Sequence, residues 1–207
     1  VAKNFSILTL ATIAEAVITF LFLAFVARQF GPSLFGKYIL IHVYVYVVSV
    51  LVNAGIAPIA LRELARQRDD PSELFDVIFS LRLVLGVFGY LMLMLVVAWS
   101  GKSPEYMTLI GIAGLVLLIE PFTASYRTYY TAHERLAIPS AYSVASAGLS
   151  ALAGGTLLIL GFGLFELILS NAVIALTIGI IWSVRFRARV LRFRFRVRLA
   201  AWRRLLV

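Results

Sequence analysis

The sequence predicts an all-α integral membrane protein, a six-helix transmembrane bundle with both termini on the cytoplasmic side (N-in/C-in). Three observations carry this expectation. Of 207 residues, 62% are hydrophobic and 14% charged, and the mean hydropathy is +0.97, against roughly 45–50% apolar and about 25% charged in soluble domains. The charged residues gather in short breaks between apolar runs of about twenty residues, the length at which a helix crosses a bilayer. Lys and Arg accumulate in alternate breaks, as they do in loops kept on the cytoplasmic side.

The spans read from the apolar runs are about 5–27, 38–58, 77–99, 106–126, 139–161 and 164–184. Only helices and closed barrels satisfy their backbone polar groups in lipid. The runs lack the strict alternation of barrel strands and are about twice as long, so helices are expected. Residues 1–184 then form the bundle and 185–207 a basic cytoplasmic linker. The first run, Phe5 to Ala27, exceeds a signal peptide's core and shows no small-residue cleavage site before Arg28, which makes it a retained span. The chain does not open on Met, so its first residue is expected to lie downstream of the gene's start.

Each break carries turn chemistry: Gly31-Pro32, Asp70-Pro71-Ser72, Ser100-Gly101 with Pro104, Pro139, and Gly161 with Gly163. In the longest, Leu61 to Asp76, a helix end gives way to a turn at Asp69 to Pro71 and a new start capped by Ser72. With the N-terminus inside, the inner segments hold Lys3, Arg62, Arg66, Arg68, Arg127, Arg135 and the arginines after span 6. The outer segments hold Arg28, Lys37 and Lys102, and Arg82 falls within span 3.

Span 5 carries Ser143, Ala147, Ala151 and Gly155 at intervals of four, with Ser146, Ser150 and Gly154 beside them, a pattern that lets helix backbones approach closely. Gly111 and Gly114 in span 4, and Gly86 and Gly89 in span 3, extend it.

The polar residues inside the spans are the functional candidates. Glu15 lies about ten residues into span 1, roughly 15 Å deep and near the midplane. A carboxylate there costs about 2.5–3.5 kcal/mol on insertion scales, so it faces a wet cavity, pairs, or is protonated. Glu15 is thus a candidate for ion coupling; the bland alternative is a neutral carboxyl bonded to a neighbouring helix. Arg82 either snorkels to the headgroups or faces inward, where its guanidinium can hold a phosphate by two parallel hydrogen bonds. Glu120, the second ion-coupling candidate, precedes Pro121, which frees a backbone carbonyl and kinks span 4. Asn53 and Asn171 either bond sugar hydroxyls in a cavity or bridge helices. His42 reads as an interfacial residue, and Tyr126, Tyr129, Tyr130 and Tyr142 as an interfacial aromatic belt.

The tail from Arg185 to Arg204 interleaves arginines with Phe, Val, Leu and Trp. Directly after a transmembrane helix this suits anionic lipids of the inner leaflet, where each basic residue is worth about 1 kcal/mol, rather than nucleic acid. There is no cysteine, and two histidines leave little metal chemistry. The sequence holds no GxxxxGK[ST] loop, no HExxH and no paired Asp motif, so no catalytic residue, metal or cofactor is expected.

Three blocks form a pattern: ARQFGPSLFGKY (Ala27 to Tyr38), LVNAGIAPIALRELAR (Leu51 to Arg66) and YYTAHERL (Tyr129 to Leu136). The chain resembles the polysaccharide-export flippases of the multidrug/oligosaccharidyl-lipid/polysaccharide superfamily, whose N-terminal halves show a similar Arg, Leu-Gly-Pro, Phe-Gly-x-Tyr run. Arg28, Gly31, Pro32, Phe35, Gly36 and Tyr38 match it, and Phe30 replaces the usual leucine. Arg62-Glu63-Leu64-Ala65, Glu134-Arg135 and Trp202-Arg203-Arg204-Leu205 also fit. The resemblance implies one half of a two-bundle, MATE-like transporter fold, whose partner is a second bundle of the same protein related by a pseudo-two-fold.

The implied activity is movement of a polyprenyl-pyrophosphate-linked oligosaccharide across the cytoplasmic membrane, ion-coupled and by alternating access. Arg28, Arg62, Arg82 and Asn53 become the candidates for substrate binding, and Glu15 and Glu120 for ion coupling. Two rivals stand beside this reading. A drug/cation antiporter of the same superfamily would need a more acidic or aromatic cavity. A membrane-embedded glycosyl- or acyltransferase would need a clustered acid, base or metal constellation, which the sequence does not show.

Overall fold

Gly31 divides the longest helical run of the chain. In the computed structural model, which describes residues 2–53, 56–66 and 72–189, helix α1 runs over Ala2–Asn53, yet Gly31 within it has φ 68° and ψ 177°. A continuous helix of that length would reach about 78 Å, far beyond a hydrocarbon core of about 30 Å. The break at Gly31, followed by Pro32 whose missing N–H suits a helix start, divides α1 into segments 2–30 and 32–53. Glycine is needed there because this φ/ψ region is essentially closed to other residues.

The remaining elements are α2 (Ile56–Arg66), α3 (Ser72–Trp99), α4 (Pro104–Gly114), α5 (Val116–Ala132), α6 (Ala137–Ile159) and α7 (Leu164–Arg189). Among the described residues every regular element is helical. Five helical stretches, with α4 and α5 counted as one and α1 as one, are long and apolar enough to cross a membrane.

The boundaries differ from the sequence expectation in instructive ways. The second span ends at Asn53, not near residue 58, and α2 follows as a separate short helix. Its buried residues, Ile56, Ala60 and Leu64, recur every four positions, while Arg62 and Arg66 are exposed. It is an amphipathic helix whose apolar face packs against α5 and α3. The α4–α5 stretch breaks at Leu115, upstream of Pro121, where Leu118 N–H donates to the Leu115 carbonyl three residues back. The α7 helix continues past residue 184 to Arg189. The turn expected at Asp69 to Pro71 and the tail beyond Arg189 lie outside the described residues.

Two loops close by the same device. After α6, Phe162 N–H donates to the Leu157 carbonyl and Gly161 N–H to that of Leu158, with Gly161 at φ 82°. After α5, Arg135 N–H donates to Tyr130 and Glu134 N–H to Thr131, with Glu134 at φ 58°. Both are Schellman endings, the second with a glutamate in the place usually held by glycine. At the start of α7, the Glu166 carboxylate accepts from the Gly163 N–H at 2.9 Å, half of a capping box.

The helices enclose two apolar cores. One joins Val26, Tyr38, Ile41, Leu93, Leu109 and Leu167; the other, at the opposite end, joins Leu64, Phe75, Ile78, Tyr126 and Phe186. The four tyrosines expected as an interfacial belt are largely drawn into this second region. Tyr126 is fully buried and Tyr130 nearly so, stacked or edge-on with Phe75, Phe186 and Trp182. Convergence of α2, α3, α5 and α7 turns those rings inward.

Close packing occurs at several of the expected small residues, Gly86, Gly89, Gly114 and Gly154 among them, but not at Gly155. A Cβ on Gly154 would lie 2.7 Å from Phe22 and 2.8 Å from Leu167, whereas one on Gly155 would meet nothing within 4 Å. Gly154 is therefore where α6 meets α1 and α7.

Candidate functional site

Between the two cores lies a layer of polar side chains. It begins with Pro121, which lacks the N–H that would bond the Leu117 carbonyl. That carbonyl faces Gly86 of α3: an added Cβ there would lie 2.6 Å from Leu117 O and 2.9 Å from Pro121 Cγ. Backbone-to-backbone contact at Gly86 brings the α3 residue one turn earlier, Arg82, against α5.

Arg82 is only 3% exposed. Its Nη1 donates to Ser125 Oγ at 3.4 Å and to Thr128 Oγ1 at 3.2 Å, and its Nη2 to Thr128 Oγ1 at 3.2 Å. Its Nε has no partner. Of the two expectations for Arg82, snorkelling is excluded and the inward orientation holds. The guanidinium sits among hydroxyls, with Glu120 in electrostatic reach.

Glu120 is held from the other side. Its Oε2 accepts from Ser49 Oγ at 2.9 Å and its Oε1 from Asn53 Nδ2 at 2.9 Å. Asn53 Nδ2 also donates to the Ser49 carbonyl at 3.0 Å, which fixes the amide at the end of α1. Ser49 and Asn53 are four residues apart and share a helix face. Both Arg82 and Arg127 act electrostatically on Glu120, so this one carboxylate faces two cations. Asn53, between the readings of sugar contact and helix bridge, makes the bridge.

Glu120 and Ser49 line a half-open cleft of about 540 Å³ between the helices, with His42, Tyr46, Thr123 and Tyr142 around it. His42 was expected at an interface; instead it lines this cavity. One ring nitrogen, Nδ1, lies 2.9 Å from the Tyr38 carbonyl, which requires that nitrogen to carry the proton and leaves Nε2 as the acceptor. Asn171 also lines the cavity; it interacts with the Tyr38 phenol, and its own Oδ1 is buried without a partner.

Glu15 belongs to a different place. It lines a cavity of about 140 Å³ with Arg127, Thr131, Ser140 and Ser143, beside the last turns of α5 and the first turns of α6. Arg127 donates to Ser143 Oγ at 3.0 Å and stands between the two carboxylates, lining Glu15's cavity while acting on Glu120.

Arg28 and Arg62 are exposed, Arg28 beside the core that contains Val26 and Arg62 beside the one that contains Leu64. They lie at opposite ends of the bundle, and the structure does not bring them to Arg82. The sequence reading passed over Ser49, Ser125 and Thr128. Their signal was available: polar pairs at helical spacing, Ser49 with Asn53 and Ser125 with Thr128, inside otherwise apolar runs. Among the described residues no group of three His, Asp or Glu side chains is placed to hold a metal ion.

Long apolar helices around an interior layer of ionisable side chains define a multi-pass membrane protein. This chain belongs to the polysaccharide biosynthesis protein family, whose family model, described as "Polysaccharide biosynthesis protein", matches residues 1–207. No curated protein and no solved structure matches it.

Proposed function

We propose that the chain is a flippase module of the cytoplasmic membrane that moves a polyprenyl-pyrophosphate-linked oligosaccharide between leaflets by ion-coupled alternating access. The observation that carries this reading is Glu120. In a chain of the polysaccharide biosynthesis family, a carboxylate lines a half-open cleft between helices, held by two neutral donors and within electrostatic reach of two arginines. Intramembrane carboxylates are costly and mark ion or substrate paths.

The break at Gly31 and the Lys and Arg distribution support a reading with six crossings, N-in and C-in. A second bundle of the same protein would complete the path.

The coupling chemistry is simple. Ionised, Glu120 accepts from Ser49 and Asn53. A proton taken up on Oε2 turns that oxygen into a donor, to which the Ser49 hydroxyl can rotate to accept, while Oε1 goes on accepting from Asn53. Proton uptake would then remove the negative charge within electrostatic reach of Arg82 and Arg127 without breaking the link between α1 and α5. A bound sodium ion would compete for the same oxygens. The surplus positive charge of Arg82 and Arg127 over Glu120 would attract a pyrophosphate, with Arg28 and Arg62 meeting it at the two ends of the path. Glu15 would serve as a second coupling carboxylate through Arg127.

The test is inner-leaflet accumulation of lipid-linked oligosaccharide in cells depleted of the protein, with rescue by wild type, Glu120→Gln and Glu15→Gln. Accumulation relieved by wild type but not by Glu120→Gln is the expected result. Equal relief by all three would reduce both carboxylates to packing residues. No accumulation in cells without a redundant transporter would remove the flippase reading and favour drug/cation antiport.

A further inference from the structure

Where α5 turns into α6, a groove of about 760 Å³ opens between that turn and the last turns of α7. Its lining combines two chemistries. Arg135 and Arg185 stand exposed along it, and neither forms an ion pair among the described residues. Tyr142 and Trp182 make one wall, their rings edge to face with centroids 4.6 Å apart; each carries a polar hydrogen as well as an apolar face. Ile138 and Ile181 supply hydrocarbon.

The lining contains no Asp or Glu. Elsewhere on the surface the chain does place a carboxylate beside an exposed arginine, as in Arg66 with Glu63 at 3.5 Å. A concave site rich in donors and cations, free of acidic groups and floored with hydrocarbon complements one kind of solute: an anion rich in acceptor oxygens joined to an apolar chain. Arginine's planar fork matches the oxygens of a phosphate, and indole and phenol rings suit the headgroup level of a membrane.

We propose that this groove binds the phosphate headgroup of an anionic membrane lipid, clamped between Arg135 of the α5–α6 turn and Arg185 of α7, with the lipid chain lying over Ile138 and Ile181. The bound lipid ties the α5–α6 turn to α7, two parts of the bundle that the aromatic wall already joins. The proposal does not depend on which solute the chain transports.

The full chain, with Trp99→Phe and Trp202→Phe leaving Trp182 as its only indole, is placed in phosphatidylcholine nanodiscs. Trace lipid with brominated chains is added, bearing either a phosphatidylglycerol or a phosphatidylcholine headgroup, and Trp182 quenching is read. The expected result is a roughly thirtyfold preference for the anionic lipid, the scale of two basic residues at an anionic surface. It should vanish in Arg135→Gln/Arg185→Gln, weaken in the lysine pair, which keeps the charge but loses the fork, and persist in Lys102→Gln. Far-ultraviolet circular dichroism confirms that each variant is folded.

Unlabelled polyprenyl pyrophosphate and unlabelled phosphatidylglycerol are then compared as competitors. Relief by the former at lower mole fraction identifies a polyprenyl lipid as the ligand, and equal relief identifies bulk phospholipid; both support the site. Equal quenching by the two brominated headgroups, or a preference that survives the double glutamine substitution in a folded protein, overturns it.

Discussion

Glu120 Oε1 accepts a hydrogen bond from Asn53 Nδ2 at 2.9 Å, joining side chains 67 positions apart in the chain. Ser49 completes the clasp on the second carboxylate oxygen. Asn53→Ala leaves one oxygen of a half-buried carboxylate unpaired. It should lower stability by about 0.6–1.7 kcal/mol, the range for interhelical hydrogen bonds in membranes. Asn53→Asp sets two carboxylates face to face and should be worse at neutral pH than at acidic pH, because protonating one of them restores the bond. Thermal unfolding of the purified protein in detergent, at two pH values, separates the two variants.

Arg82 gives its hydrogen bonds to hydroxyls, and its charge is compensated at longer range. Arg82→Met fills the space and removes the charge but leaves the Ser125 and Thr128 hydroxyl oxygens without their donor. The expected cost is about 1.5–3 kcal/mol, that of a charged hydrogen bond. Combined with Glu120→Gln, it should cost less than the sum of the two changes by at least about 0.5 kcal/mol, because each charge then no longer faces an uncompensated partner. A double-mutant cycle measured by unfolding checks this, and strict additivity would show that the two charges do not interact.

Gly86 and Gly155 make a matched pair of tests. A methyl group on Gly86 would strike the Leu117 carbonyl at 2.6 Å, and that atom belongs to the backbone. Gly86→Ala should therefore cost about 1–3 kcal/mol and push α3 away from α5. Gly155→Ala meets open space and gains helix propensity of up to about 1 kcal/mol, so it should be neutral or stabilising. Thermal unfolding of both variants reads the contrast directly.

Gly31→Ala tests the first turn. No atom would crowd the new methyl group, so any effect comes from the backbone alone, at a φ/ψ combination essentially reserved for glycine. The break should shift or weaken, and labelling of single cysteines at Ser33 and Lys37 from the two sides of the membrane should become mixed. Unchanged one-sided labelling would show that another residue sets the turn.

How much was legible varied with how local the cause was. The apolar runs, the break at Gly31-Pro32 and the clustering of arginine in alternate breaks are read from hydropathy, φ/ψ limits and charge, all of which act within a few residues. Glu120 and Asn53 were each singled out, but their pairing was not, since nothing within either span encodes the other's position. Arg82 was left between two orientations for the same reason. Its choice depends on Gly86 allowing α3 to touch α5, a contact between distant segments. Position near a span end does not reveal that neighbouring helices bury Tyr126 and Tyr130.

The sequence by itself determined that this protein lives in a membrane, that its long apolar runs are helical, and which family it belongs to, because hydropathy, backbone sterics and charge are summed along the chain. The tertiary structure alone decided which of several costly polar residues share one site. Glu120, Ser49, Asn53 and Arg82 form a layer, Glu15 stands apart beside Arg127, and Arg28 and Arg62 lie at the ends. Hydrogen bonds reach about 3 Å, so only the packing of helices distant in sequence can say which partners meet.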